Sequence, residues 1–110
     1  MLLEIHGPSM QPSLWPGDRI VVRPLKQMSQ DLQPGMVVVS WHPSQRGTRL
    51  IKRLIRIEAG GLWLEGDNPL QSTDSRQLGI IPRDCLIGAV VGRFSLNRDG
   101  LEESRSKQSW

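Results

Sequence analysis

One hydroxyl and one amine in this chain have neighbours suited to nucleophilic chemistry. Ser9 stands in Gly7-Pro8-Ser9-Met10-Gln11-Pro12-Ser13-Leu14, followed at once by Trp15-Pro16-Gly17-Asp18. Proline fixes φ and removes a backbone donor, so a turn bracketed by Gly7 and two prolines holds a side chain in one direction. An attacking nucleophile needs that restriction. Taken alone, a serine in such a turn is only a turn residue. The question is whether the chain supplies a base for it.

Histidine is the first place to look, and there are two, His6 and His42. A Ser-His-Asp arrangement with His42 as base is open on paper, but no Gly-x-Ser-x-Gly elbow supports it. His6, three residues before Ser9, reads as a surface or strand residue. The single cysteine, Cys85, opens an apolar stretch and reads as an inert, buried thiol. One cysteine and two separated histidines do not compose a metal site, and no glycine-rich phosphate loop is present, so neither metal nor cofactor is expected. Lys52 remains. A lysine deprotonates a serine only if its pKa falls toward neutrality from about 10.4 in water. Burial drives such a fall, because it disfavours the ammonium form. If residues 48–58 form a strand, Lys52 shares its face with Leu50 and Leu54; Arg53 and Arg56 add positive potential if they lie close. Judged alone, a solvated lysine in a basic stretch is the plainer reading.

The elements that must position these groups follow from composition and punctuation. The 110 residues suffice for one domain, 37% apolar and 23% charged, with eleven glycines and eight prolines that favour turns over long helices. A mainly β fold is expected. Strands are expected near residues 2–6, 19–23, 36–41, 62–65 and 86–93, with turns at Pro34-Gly35 and Gly66-Asp67-Asn68-Pro69. Gly88 and Gly92 mark bulges or bends in the last strand. Residues 48–58 are ambiguous: on a helical wheel Leu50, Ile51, Leu54, Ile55 and Ile57 share an arc, and pattern alone leans to helix. The Ala59-Gly60-Gly61 break and the return as Leu62-Trp63-Leu64-Glu65 favour a hairpin, so the strand is chosen. Residues 70–79 read as a polar loop. Residues 95–110 read as a polar tail, with disorder left open as its state, beyond a catalytic unit at 1–94.

Charge and targeting signals narrow the setting. The formal net charge of +3 is scattered, apart from Lys52, Arg53 and Arg56. A lone cysteine excludes an intrachain disulfide and favours a reducing compartment. The opening residues do not read as a signal peptide, and no apolar run approaches the ~20 residues that span a bilayer. A soluble, cytoplasmic protein without a transmembrane anchor is expected.

Three motifs, in order, make the reading specific. Ser9-Met10-Gln11-Pro12-Ser13-Leu14 with Gly17-Asp18, then Ile51-Lys52-Arg53, then Gly66-Asp67-Asn68 with Ser72-Thr73-Asp74-Ser75-Arg76, together resemble the signal peptidase I family of Ser/Lys proteases over roughly residues 5–94. The resemblance implies a compact antiparallel β core, partly barrel-like, with Ser9 as nucleophile and Lys52 as general base. It implies that Ser72 hydrogen-bonds and orients the lysine amine, and that Asp74 and Arg76 form a supporting ion pair. Asp67 and Asn68 belong to the same motif and shape its turn. A serine hydroxyl suits a neutral amine, since it offers an acceptor without adding charge, whereas a carboxylate there would weaken the base.

Gly7 stands where bacterial membrane members often carry an oxyanion-binding serine, as in mitochondrial-type members. The oxyanion then depends on backbone N–H groups, that of Ser9 among them. Within the family, the small size, the missing anchor and the Gly-Pro-Ser-Met and Gly-Asp-Asn-Pro segments resemble the nickel-type superoxide dismutase maturation proteases. That resemblance implies removal of an N-terminal leader from a precursor bound in extended form. The competing expectation is a non-catalytic basic β-domain whose Lys52, Arg53 and Arg56 meet nucleic acid or an acidic partner. Ser72-x-Asp74-x-Arg76 has no purpose in that reading, so nucleic acid is not expected as a partner. A self-cleaving repressor-type Ser/Lys protease is weaker, since no DNA-binding segment precedes Ser9.

Overall fold

Alternating or unbroken apolar stretches separated by glycine and proline turns build a sheet. In the computed structural model, which describes residues 1–27, 32–96 and 102–104, the strands are β1 (Leu2–Glu4), β2 (Arg19–Pro24), β3 (Val37–Trp41), β4 (Arg49–Glu58), β5 (Gly61–Glu65), β6 (Ile81–Pro82), β7 (Leu86–Leu96) and β8 (Glu102–Ser104). They form one sheet in the order β1-β2-β7-β3-β4-β5-β6, with β8 on β7, and every pairing is antiparallel. The sheet curls into a half-barrel, as the expected mainly β, partly barrel-like class requires.

Strand β3 is the centre of the molecule. Val37, Val38 and Val39 are all fully buried, so both faces of this strand are covered. Val38 joins a cluster with Leu50, Leu54, Leu62, Leu64 and Ala89, while Val37 and Val39 join Ile5, Met10, Leu14, Ile20 and Val90. The period of two along β3 thus separates two cores. Met10 and Leu14, from the serine turn, are plugs in the second core. With Ile5 before Ser9 and Met10 and Leu14 after it, the turn is anchored by apolar burial.

Residues 49–58 are a strand, and the glycine break after them is a hairpin turn. Its first half alternates cleanly, with Leu50, Lys52 and Leu54 buried and Arg49 exposed. A register shift between Leu54 and Arg56 then leaves Ile55 and Ile57 well exposed. At Gly88 a Cβ would collide with the Arg23 carbonyl, so that glycine permits close strand approach; the bulge expected near Gly92 lies opposite Val21/Val22.

Two sequence expectations need amending. The polar loop at 70–79 contains a 3₁₀ turn (Pro69–Gln71) and a short helix, α1 (Ser75–Leu78). Asp74 caps that helix, and Gln77 Oε1 accepts from the Asp74 N–H in return, a capping box legible as Asp74-x-x-Gln77. Strand β7 also runs past residue 94 to Leu96, where β8 pairs with it; the rest of 95–110 lies outside the described residues. No helix among the described residues is long and apolar enough to cross a membrane.

Candidate active site

The serine turn is held from below by the loop after β5. Asn68 donates its backbone N–H to the Ser9 carbonyl at 2.9 Å and its side-chain Nδ2 to the Pro8 carbonyl at 3.1 Å. One residue earlier, Asp67 accepts the Ser13 hydroxyl at 2.6 Å and takes both Nε and Nη2 of Arg53 at 3.0 and 2.6 Å. Arg53 further donates to the Gly35 carbonyl. Asp67 and Asn68 thus grip the serine segment at two points, which is more than shaping their own turn. Burial pushes the Asp67 carboxyl upward, but the hydrogen bonds from Arg53 and Ser13 outweigh this and leave it below the usual range.

Gly66 is the residue the sequence pattern contained without revealing its role. A Cβ built on it would lie on the Ser72 hydroxyl and 2.6 Å from the Ser9 carbonyl oxygen. Glycine is required there because the serine turn and the Ser72 segment close on the same point.

Lys52 lies on β4 opposite Val38 and between Leu50 and Leu54, and is only 5% exposed. Burial lowers its pKa from 10.5; the nearby Asp74 charge opposes this, and that of Arg76 assists it. The assisting cation is therefore Arg76; Arg53 and Arg56, which the sequence offered on condition that they lie close, are not among the charges acting on it. Arg53 is committed to Asp67, and Arg56 pairs with Glu58 while stacking on Trp63. Because Lys52 is buried and the two arginines are engaged elsewhere, the three do not compose a basic face for phosphates.

Asp74 is almost fully buried and densely satisfied. It accepts the Ser72 hydroxyl at 2.6 Å, the Gly66 N–H at 2.7 Å, the Arg76 N–H at 3.1 Å, and Arg76 Nε and Nη2 at 3.0 and 2.6 Å. Burial alone would raise its pKa; together the bonds from Arg76, Gly66 and Ser72 hold it well below the usual carboxylate range. The ion pair expected between Asp74 and Arg76 is present. Ser72 spends its proton on Asp74, so its oxygen lone pairs are left as acceptors.

Ser9 and Lys52 line the same two cavities. One, of about 350 Å³, includes Ile5, Met10, Arg49 and Ile51. The other, of about 340 Å³, includes His42, Thr48, Gln71 and Thr73. Elements far apart in sequence, the Gly/Pro turn and the fourth strand, thus deliver an alcohol and a buried amine to one concavity. His42 is not arranged as a triad base. Its Nδ1 accepts the N–H groups of Ser44 and Gln45, whereas a triad histidine must donate from that nitrogen to a carboxylate. His6 is exposed near Glu4, and Cys85 is half-buried against the first core.

With this geometry established, the relatives can be compared. The chain matches the Peptidase S24-like family over residues 1–90. It is 31% identical to mitochondrial inner membrane protease subunit 1 of Mus musculus over 104 aligned positions, covering 76% of this chain and 63% of that protein. Subunit 1 of Homo sapiens matches to the same extent. The Schizosaccharomyces pombe subunit is 31% identical over 107 positions, covering 79% of this chain and 68% of that protein. The chain therefore spans somewhat under two thirds of the mouse and human relatives. These relatives are named for the mitochondrial inner membrane, which overturns the expected cytoplasmic location; the lone cysteine and lack of a leader pattern were too general to fix a compartment. The motifs around Ser9, Lys52 and residues 66–76 lie within the matched span, and the chain belongs to the Peptidase S24-like family.

Proposed function

We propose that this chain is a serine endopeptidase with a Ser9/Lys52 dyad, and that it removes an N-terminal leader from a precursor protein. The observation that carries the reading is the burial of Lys52 between two leucines, in a cavity wall shared with Ser9. A lysine so placed gains little from holding a proton, and that makes it a base.

In the first half-reaction, Ser9 Oγ forms a bond to the scissile carbonyl carbon as Lys52 Nζ takes the hydroxyl proton. The oxyanion is received by backbone N–H groups, including that of Ser9, which none of the described backbone hydrogen bonds uses. The carbon–nitrogen bond then breaks, and Lys52 returns the proton to the leaving amine. In the second, Lys52 takes a proton from water as the water oxygen attacks the acyl ester. The ester bond breaks and Ser9 recovers its proton. Ser72 has the role of fixing the amine: its oxygen accepts a hydrogen bond from the amine while its own proton is tied to Asp74, and Arg76 holds that carboxylate in place. Asp67 and Asn68 support the site by holding the Ser9 turn.

The substrate is proposed to be the precursor of nickel-type superoxide dismutase, on the motif resemblance at residues 7–10, 66–69 and 72–76. Mass spectrometry of that precursor, incubated with wild type, Ser9→Ala and Lys52→Ala, tests both levels. Wild type is expected to release one leader fragment and one mature chain, and both variants are expected to leave the precursor whole. Cleavage by Lys52→Ala at the wild-type rate would sink the dyad. Cleavage of other peptides by wild type, with this precursor untouched, would sink the substrate alone.

A further inference from the structure

We infer that His42 binds the substrate, donating a hydrogen bond from Nε2–H to a main-chain carbonyl of the extended peptide; this rests on the protease reading above. Three observations lead there. His42 is only 9% exposed, yet it lines the cavity that also holds Ser9 and Lys52. Its Nδ1 accepts two backbone N–H groups, from Ser44 at 3.1 Å and Gln45 at 3.0 Å. A nitrogen that accepts twice carries no proton, so the ring's proton sits on Nε2. The 42–45 loop thus takes the acceptor edge of the ring, and none of the described hydrogen bonds uses its donor edge.

The surroundings favour a carbonyl as the acceptor. Gln45, Thr48, Gln71 and Thr73 line the same cavity, and they supply neutral donors and acceptors of the kind that main-chain groups satisfy. His42 also borders a mostly apolar cleft of about 600 Å³ walled by Trp41, Pro43, Ser44, Arg46 and Gly47. A peptide leaving the Ser9 cavity over His42 would meet this cleft next. His42 is thereby a substrate-positioning donor, with the proton-transfer work left to Lys52.

Two substitutions separate this role from a merely structural one. His42→Asn keeps an acceptor near the position of Nδ1 and removes the donor near Nε2. His42→Gln does the reverse, placing an amide N–H near Nε2 and leaving the Ser44 and Gln45 N–H groups without their acceptor. The probe is the peptide that wild type cleaves fastest from a proteome-derived peptide library. Its cleavage is followed for each variant, and its binding is measured in the Ser9→Ala background. His42→Asn is expected to lose about tenfold in kcat/KM and in affinity, the scale of one neutral hydrogen bond, with its melting temperature little changed. His42→Gln is expected to melt several degrees lower and yet to cleave better than His42→Asn. Wild-type cleavage and binding by His42→Asn would overturn the inference, as would activities that simply follow the two melting temperatures. If instead Ser9→Ala cleaves the probe as wild type does, it is the protease reading that fails.

Discussion

Lys52 and Arg53 are consecutive cations on one strand, and the pleat sends them to opposite fates. Arg53 turns to a face where Asp67, Ser13 and the Gly35 carbonyl receive its guanidinium, so its charge is matched and its pKa is raised, chiefly by the Asp67 bond. Lys52 turns to the face of Leu50, Leu54 and Val38, where burial works against its charge. Asp74, the carboxylate that might have held Lys52 as an ion, is already occupied by Arg76, Ser72 and Gly66. The difference teaches that one residue of register decides whether a cation is a clamp or a base. Arg53 fixes where the serine turn sits; Lys52 is placed to act on it.

The sharpest way to break that comparison is to remove each charge in turn. Lys52→Met keeps volume and apolar packing, so the fold should melt at or above the wild-type temperature, since no buried charge is stranded. Peptide cleavage should fall by about 10⁴-fold or more, as for loss of a general base in other hydrolases. Arg53→Met should behave the other way. It takes the guanidinium away from Asp67, which keeps only the Ser13 hydroxyl, costing about 1–3 kcal/mol in denaturant unfolding. Cleavage should fall only by about 10²-fold, through misplacement of the Ser9 turn. Equal losses of activity in the two variants would erase the distinction.

A smaller effect separates the two Asp–Arg pairs by pH. Cleavage should rise with pH as Lys52 loses its proton, along a limb that lies below the lysine's ordinary 10.5. Arg76→Met removes a cation that assists deprotonation and leaves Asp74 less neutralised, so the limb should move to higher pH. At neutral pH this costs roughly three- to tenfold in rate. Asp67→Asn should lower the rate without moving the limb, because Asp67 is not among the charges acting on Lys52. The linked stability has a definite sign. The unfolded chain holds the lysine proton longer than the folded one, so Lys52 makes stability rise with pH between its folded value and 10.5. Asp74 is depressed, so its contribution is complete above 3.8 and is lost as pH falls below it.

Much of this arrangement was legible in the chain because it depends on local signals. The Ala59-Gly60-Gly61 break outweighed the helical arc of residues 50–57, and the strand places Lys52 with Leu50 and Leu54 as alternation demands. The bulge after Leu54 explains why the arc was misleading: Ile55 and Ile57 look like core in sequence but remain substantially exposed. Partnerships across the fold were not legible. Nothing near Arg53 in sequence points to Asp67 or Ser13, which reach it only once β4 and the following loop are folded against the serine turn. Gly66 was visible only as part of a turn, since its steric role requires Ser72 and Ser9 to arrive from two directions. The capping box at Asp74 and Gln77 is a local signal, but a four-residue helix carries no apolar period to go with it.

The mildest test concerns Ser13, which stands in the serine turn on the Arg53 side of the comparison without belonging to the chemistry. Its hydroxyl donates to Asp67 at 2.6 Å and lies 3.4 Å from Arg53 Nη2, while its backbone carbonyl receives Arg93. Ser13→Ala removes only the hydroxyl. Asp67 keeps two bonds from Arg53, so no buried charge is stranded, and the unfolding free energy should fall by about 1 kcal/mol. Burial and the Arg53 bonds are then the main influences on the Asp67 carboxyl, whose pKa should rise toward the ordinary value without reaching it. If the Arg53–Asp67 pair is the clamp, kcat should drop only about twofold, and the pH at half-maximal cleavage should stay where wild type has it. A shift in that pH would mean that the clamp and the base are electrically coupled through the serine turn, and the division of labour between the two faces of β4 would have to be given up.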